Sequence, residues 1–158
     1  MNAIKISELD TAFSFQRRPA SLPADLRPSW RIGMVLLLLR KCCRSNKSSL
    51  GRLHVLNWGV LSKDNRLALQ KVIREDATAD QLIVRIEPSL NRAVALAAGE
   101  GLVQRPNGEH IELTARGIHF ADAIDATEGM YIVEKELMVS IGKRVSEKLI
   151  KQIFETGS

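Results

Sequence analysis

The chain has 158 residues, of which 45% are hydrophobic and 26% charged; this is the balance of a globular protein with its own core, not of a disordered chain. Aromatic residues make up only 4%, so leucine, isoleucine, valine and alanine must build that core. The net charge of +5 is unevenly placed, since residues 1–62 carry 10 Lys/Arg against 3 Asp/Glu and residues 63–158 carry 13 against 15. That asymmetry predicts one basic surface able to attract nucleic acid or an acidic protein face; a solvated charged surface without a partner is the plainer alternative.

Residues 1–28 hold Pro19, Pro23 and Pro28 with Arg17-Arg18, which predicts an extended N-terminal arm. Phe13 and Phe15 are its anchors, to the body of the protein or to a partner. Residues 1–10 lack the charged start and apolar run of a signal peptide, so a cytoplasmic location is expected. Ser29 can cap a helix through about Arg40, with Trp30, Met34, Leu37 and Leu38 on one side. Val35, Leu36 and Leu39 make this helix apolar nearly all round, which marks it as central. Its six-residue apolar run, 34–39, is far short of the roughly 20 needed to cross a membrane. Cys42 and Cys43 are adjacent and continue the helix; they read as small core residues in a reducing compartment. Residues 44–48 read as a loop. Ser48 or Ser49 then caps a helix over about 49–62, with Leu50, Leu53, Leu56 and Leu61 apolar. A further helix is expected from Asp64 to about Glu75, and a strand over 82–86.

Residues 86–120 carry the clearest pattern. Pro88 suits the first position of a helix, where its missing N–H costs nothing. Leu90, Ala93, Val94, Ala97 and Ala98 give that helix one apolar face, and Gly99 and Gly101 end it. A strand over 102–105, an Asn107-Gly108 turn of type I′ and a return strand over 110–113 form a hairpin. Thr114 caps the next helix, through Ile124. Residues 127–129 break the chain, and 131–154 read as one long amphipathic helix with Leu137, Met138, Ile141, Val145, Leu149 and Ile153 on a stripe. The expected fold is mostly α with a small β wing (α+β). It is a winged helix-turn-helix over 29–128, with an N-terminal arm (1–28) and a long C-terminal helix (129–158). That last helix serves either as an interface through Leu137, Ile141, Val145, Leu149 and Ile153 or as packing for its own domain.

No constellation resembles a catalytic or cofactor site. Zinc needs separated Cys or His pairs, whereas the cysteines are adjacent and His54, His110 and His119 are scattered. Gly142-Lys143 lacks the glycines of a phosphate loop and is expected in mid-helix. The helix that would read bases, 88–99, offers only Ser89, Asn91 and Arg92 in its first turn, followed by alanine, leucine and valine, which is thin for direct readout. Backbone or acidic-partner contact would fall instead to Arg40, Lys41, Arg44, Lys47 and Arg52, with Arg92 and Arg105 at the recognition helix and wing. Several phosphate partners are needed even for non-specific binding. The module therefore reads better as a protein-docking piece, with or without contact to the DNA backbone.

The stretches RIGMVLLLLRKC, SSLGRLHVLNWGVLS, LIVRIEPSLNRAVALAAGEGLV and IELTARGIHFADAI, spanning about residues 31–150, resemble the small middle components of bacterial ABC three-component systems, which overlap the Lamassu-type anti-phage systems. The resemblance implies a non-enzymatic winged-helix subunit, similar to the kite subunits of condensin-like complexes, that binds an SMC-like ATPase near its head and neck. It further implies that an effector subunit of the same operon, often a nuclease, is held silent until foreign or broken DNA is sensed. A dimeric transcription regulator of the MarR or PadR kind, a homodimer through its terminal helix, stays open beside it, as does an unrelated interaction protein.

Overall fold

The computed structural model describes residues 27–156; the arm residues Phe13 and Phe15 lie outside them. The described chain is mostly helical with a small three-stranded antiparallel sheet, an α+β arrangement. Helix α1 (Pro28–Cys42) opens it with Pro28 in its first turn and without a side-chain cap, so Ser29 lies inside the helix instead of capping it. Residues 34–39 of α1 are all buried. An apolar surface on every side demands neighbours on every side, and α1 packs against four helices described below.

After α1 the chain reverses through Ser45 and Asn46, both at positive φ (56° and 57°). It then enters strand β1 (Lys47–Ser49), which leads directly into α2 (Leu50–Leu61). Ser49 caps α2 by accepting the Arg52 N–H at 3.2 Å, and Ser62 caps α3 (Lys63–Ile73) by accepting that of Asn65 at 3.0 Å. A short turn of helix (Ala79–Gln81) and an extended segment lead to α4 (Pro88–Gly99). Gly101, at φ 74°, closes α4. The Leu102 N–H reaches the Ala97 carbonyl (2.9 Å) and the Gly101 N–H that of Ala98 (3.1 Å), the paired bonds of a Schellman ending.

Strands β2 (Val103–Gln104) and β3 (His110–Leu113) follow, then α5 (Ala115–Ala126), α6 (Ile132–Ile141) and α7 (Glu147–Thr156). The sheet order is β1–β3–β2, with Lys47 opposite Glu112, Ser48 opposite Ile111 and Val103 opposite Leu113. Alternation places Ser48, Val103, Ile111 and Leu113 inward and Lys47, Gln104, His110 and Glu112 outward. Thr114 caps α5 through the Gly117 N–H at 3.0 Å.

Three sequence expectations are corrected here. Residues 82–86 form no strand: β3 already has a neighbour on each side, and the third strand comes from 47–49, in the expected loop. The hairpin turn is not type I′, because Gly108 is at φ 71° but Asn107 is not at positive φ. The Gly108 N–H bonds the Arg105 carbonyl at 3.1 Å, so Pro106 and Asn107 are the central pair. Proline is favoured at the first central position of a type I turn, and a left-handed glycine completes the reversal. The C-terminal region is two helices, not one. Gly142 takes φ 57° and ψ −143°, a region nearly closed to other residues. Arg144 donates to the freed carbonyls of Ser140 and Ile141, and Ser146 accepts the Leu149 N–H to start α7.

One core holds these elements together. Leu137, Met138 and Ile141 from α6 and Ile150 and Ile153 from α7 are buried with the α1, α2 and α4 side chains. Trp30 lies against the Tyr131 ring, with centroids 5.3 Å apart, and the Tyr131 hydroxyl donates to the Trp30 carbonyl at 2.7 Å.

Candidate interaction surfaces

The last turn of α1 carries Arg40 and Lys41, where the helix dipole favours cations. Helix α5 lies against α1 and presents Asp122 and Asp125 one turn apart. Arg40 grips Asp122 with both arms, Nε to Oδ1 at 2.8 Å and Nη2 to Oδ2 at 3.2 Å, while its Nη1 donates to Asn46 at 3.2 Å. Lys41 pairs with Asp125 at 3.0 Å. Arg52 on α2 reaches Glu147 at the start of α7 at 3.2 Å, and Arg31 reaches Glu87 at 3.3 Å. Four cations of the first half thus meet four carboxylates of the second half. Four of the ten cations counted in residues 1–62 are thus answered inside the fold. Of the five patch residues, Arg44 and Lys47 remain exposed with no ion pair among the described residues.

Helix α4 presents Arg92, Ala95, Leu96, Ala98 and Gly99 to solvent, with Leu96 42% exposed, and Pro88 and Asn91 are exposed at its start. Its other early polar side chains are engaged. His54 is buried on α2. The Glu87 N–H donates to His54 Nδ1 at 3.4 Å, so Nε2 carries the ring proton and donates to Asn91 Oδ1 at 3.0 Å. Ser89 donates to Glu87 at 3.3 Å, and Glu87 accepts Arg31 as well. This network fixes the start of α4 on α2. It requires a neutral imidazole, and burial accordingly lowers the His54 pKa. Arg92 is left as the outward cation of the helix.

At the hairpin, Arg105 Nη2 donates to the Gly108 carbonyl at 2.9 Å and so braces its own turn. Gln104 donates to Glu112 at 2.8 Å across the outward face of the sheet. The C-terminal stripe is placed differently from the interface expectation. Leu137, Ile141, Val145 and Ile153 are buried inside the chain's own core and Leu149 is half-buried. They are committed to α1, α2 and the turn at Ala79–Gln81, so the packing alternative holds.

No family model, curated protein or solved structure matches the chain. Its chemistry must be read from the surfaces themselves. Both cysteines are free and buried; burial pushes the Cys42 thiol up to about 12 and raises that of Cys43. Such thiols stay protonated and are poor nucleophiles. Among the described residues no group of three or more His, Cys, Asp or Glu could hold a metal ion, and no helix is long and apolar enough to cross a membrane.

Two features were not foreseen from the sequence. Asp122 and Asp125 act as counter-charges to the α1 terminus; their spacing of three on α5 was visible, but not the helix they face. A second apolar surface lies where α1, α5 and the start of α6 meet, with Phe120, Met130, Ile132 and Val133 exposed.

Proposed function

We propose that this chain is a non-catalytic winged-helix adaptor that docks a protein partner through the outward face of α4. The winged-helix reading is supported by the order helix, strand, helices, hairpin and by the β1–β3–β2 pairing, in which a strand between the first helices joins the hairpin. The adaptor reading rests above all on that α4 face, where Ala95, Leu96, Ala98 and Gly99 surround the single cation Arg92. Base recognition needs donors and acceptors aimed at base edges. Small apolar residues instead let another helix approach closely. The internal pairing of Arg40, Lys41 and Arg52 points the same way, because phosphate binding draws on free cations.

The partner is an SMC-like ATPase of a bacterial defence complex of the Lamassu or ABC three-component type. With it the adaptor restrains an effector such as a nuclease in the cytoplasm. Affinity purification of the tagged full chain from cells carrying its own operon tests this. The expected result is co-elution of a large coiled-coil ATPase, lost in the Ala95→Glu/Leu96→Glu variant while circular dichroism is unchanged. Elution alone, together with sequence-selective binding to its own upstream DNA at about nanomolar strength in physiological salt, would replace this reading with that of a transcription regulator.

A further inference from the structure

The groove between α1, α5 and the start of α6 encloses about 540 Å³. Its walls are Trp30, Ile32, Phe120, Ile124, Met130 and Tyr131. Phe120 and Met130 are each 42% exposed, and Ile132 and Val133 extend the apolar surface beside it. Large apolar side chains gathered in this way mark a binding site. Arg27, the first described residue, is itself part of the groove lining. The chain that precedes α1 therefore leaves from the groove's own edge.

From this placement we propose that the groove is the seat of the chain's own N-terminal segment, filled by Phe13 and Phe15. Three observations select this occupant. Eleven residues lie between Phe15 and Arg27, a tether that can span up to about 40 Å, so the rings reach any point of the groove without strain. Phe13 and Phe15 are two apart, and alternate residues of an extended strand share a face roughly 6–7 Å apart; both rings can enter one trough side by side. Charge also matches. Arg17 and Arg18 follow Phe15 closely, and Glu128, exposed beside the lining residue Gly129, has no ion pair among the described residues. Pro19 and Pro23 stiffen the intervening chain and lower the entropy lost on docking. The segment acts as a clasp that joins α1 to the α5–α6 junction. It covers an apolar surface that would otherwise meet another molecule.

The test uses the full chain with a benzophenone-bearing phenylalanine at position 15. Illumination is expected to give a product of monomer mass whose cross-link maps to the peptide holding Phe120 or to that holding Met130 and Tyr131. A product of doubled mass would assign the groove to a second copy, and cross-links elsewhere, or none, would also overturn the proposal. The second readout is Trp30, one of two tryptophans, made the sole reporter by Trp58→Phe. In that background Phe13→Ala/Phe15→Ala should shift Trp30 emission to the red and increase its quenching by acrylamide, independently of protein concentration. Emission and quenching unchanged by the double substitution would refute the clasp.

Discussion

Replacing Asp122 and Asp125 by asparagine should raise the chain's affinity for a phosphate backbone, because it frees two cations. The substitution keeps side-chain shape and removes two negative charges. It releases Arg40, held at 2.8 Å, and Lys41, held at 3.0 Å, beside the already free Arg44 and Lys47. Each phosphate contact contributes about −0.9 to the slope of log K against log salt. Two free cations give a slope of about −1.8 for the native chain, and four give about −3.6 for Asp122→Asn/Asp125→Asn. Between 50 mM and 200 mM salt the native affinity should therefore fall about 12-fold and that of the variant about 150-fold. At the lower salt the variant should bind more tightly. Both pairs are partly exposed, with side chains 20% to 52% accessible, so their loss costs no more than about 1 kcal/mol each and leaves the fold intact. Fluorescence anisotropy with a short duplex of arbitrary sequence measures the two slopes. A native slope already near the variant's would show that the carboxylates do not mask these cations. Equal slopes near zero would show that this end of α1 never meets a phosphate backbone.

Three further predictions address the frame behind these surfaces. A Cβ on Gly117 would stand 1.9 Å from the Leu102 carbonyl oxygen and 3.1 Å from Leu113, whereas one on Gly99 meets nothing within 4 Å; Gly117→Ala should cost about 2 kcal/mol and lower Tm by about 4–8 °C, while Gly99→Ala should be neutral or gain up to about 1 kcal/mol. Equal melting temperatures would disprove the close approach of α5 to the start of β2. His54 is neutral in the fold with its pKa lowered by burial, so its contribution is whole above about pH 6.5 and is lost as pH falls below that value, by at most about 1.4 kcal/mol per pH unit. His54→Gln should flatten that limb in Tm-versus-pH curves, and parallel curves for native and variant chains would refute the assignment. Cys42, with its thiol pushed up to about 12, should present only about one thiolate in ten thousand at pH 8 and resist iodoacetamide until denaturant is added; labelling of the native chain at the unfolded rate would contradict its burial.

The parts of the fold readable from the sequence are those fixed by neighbouring residues. Pro88 and Gly101 bound α4, Thr114 caps α5 and Ser49 caps α2, each through bonds that span only a few residues. The apolar circumference of α1 similarly required a central position. Strand β1 escaped because Lys-Ser-Ser has neither alternation nor strand propensity; it pairs only because packing of α1 and α2 brings it beside β3. The break at Gly142 was obscured by apolar spacing that continues through it. Ile141 and Val145 both return to one core although the chain turns between them, so helical periodicity persists without a helix. The local signals, a glycine followed four residues later by the capping Ser146, pointed the other way.

The same distinction governs the candidate surfaces. That residues 1–62 are basic could be counted, but the carboxylates answering Arg40 and Lys41 lie 82 and 84 residues away, and only tertiary structure pairs them. Once paired, these charges contribute little long-range attraction for a polyanion, and salt screens what remains beyond about 10 Å. The poor supply of polar side chains on α4 was legible from the start. The fold sharpens it, because the network around His54 engages Ser89 and Asn91 and leaves Arg92 outward. For the adaptor proposed above, both features favour docking. Sequence-independent attraction to phosphates would compete with docking, whereas neutralised cations and a small-residue face leave binding free energy to shape and apolar contact. Arg92 at the edge of such a face can select an acidic partner residue without holding nucleic acid by itself.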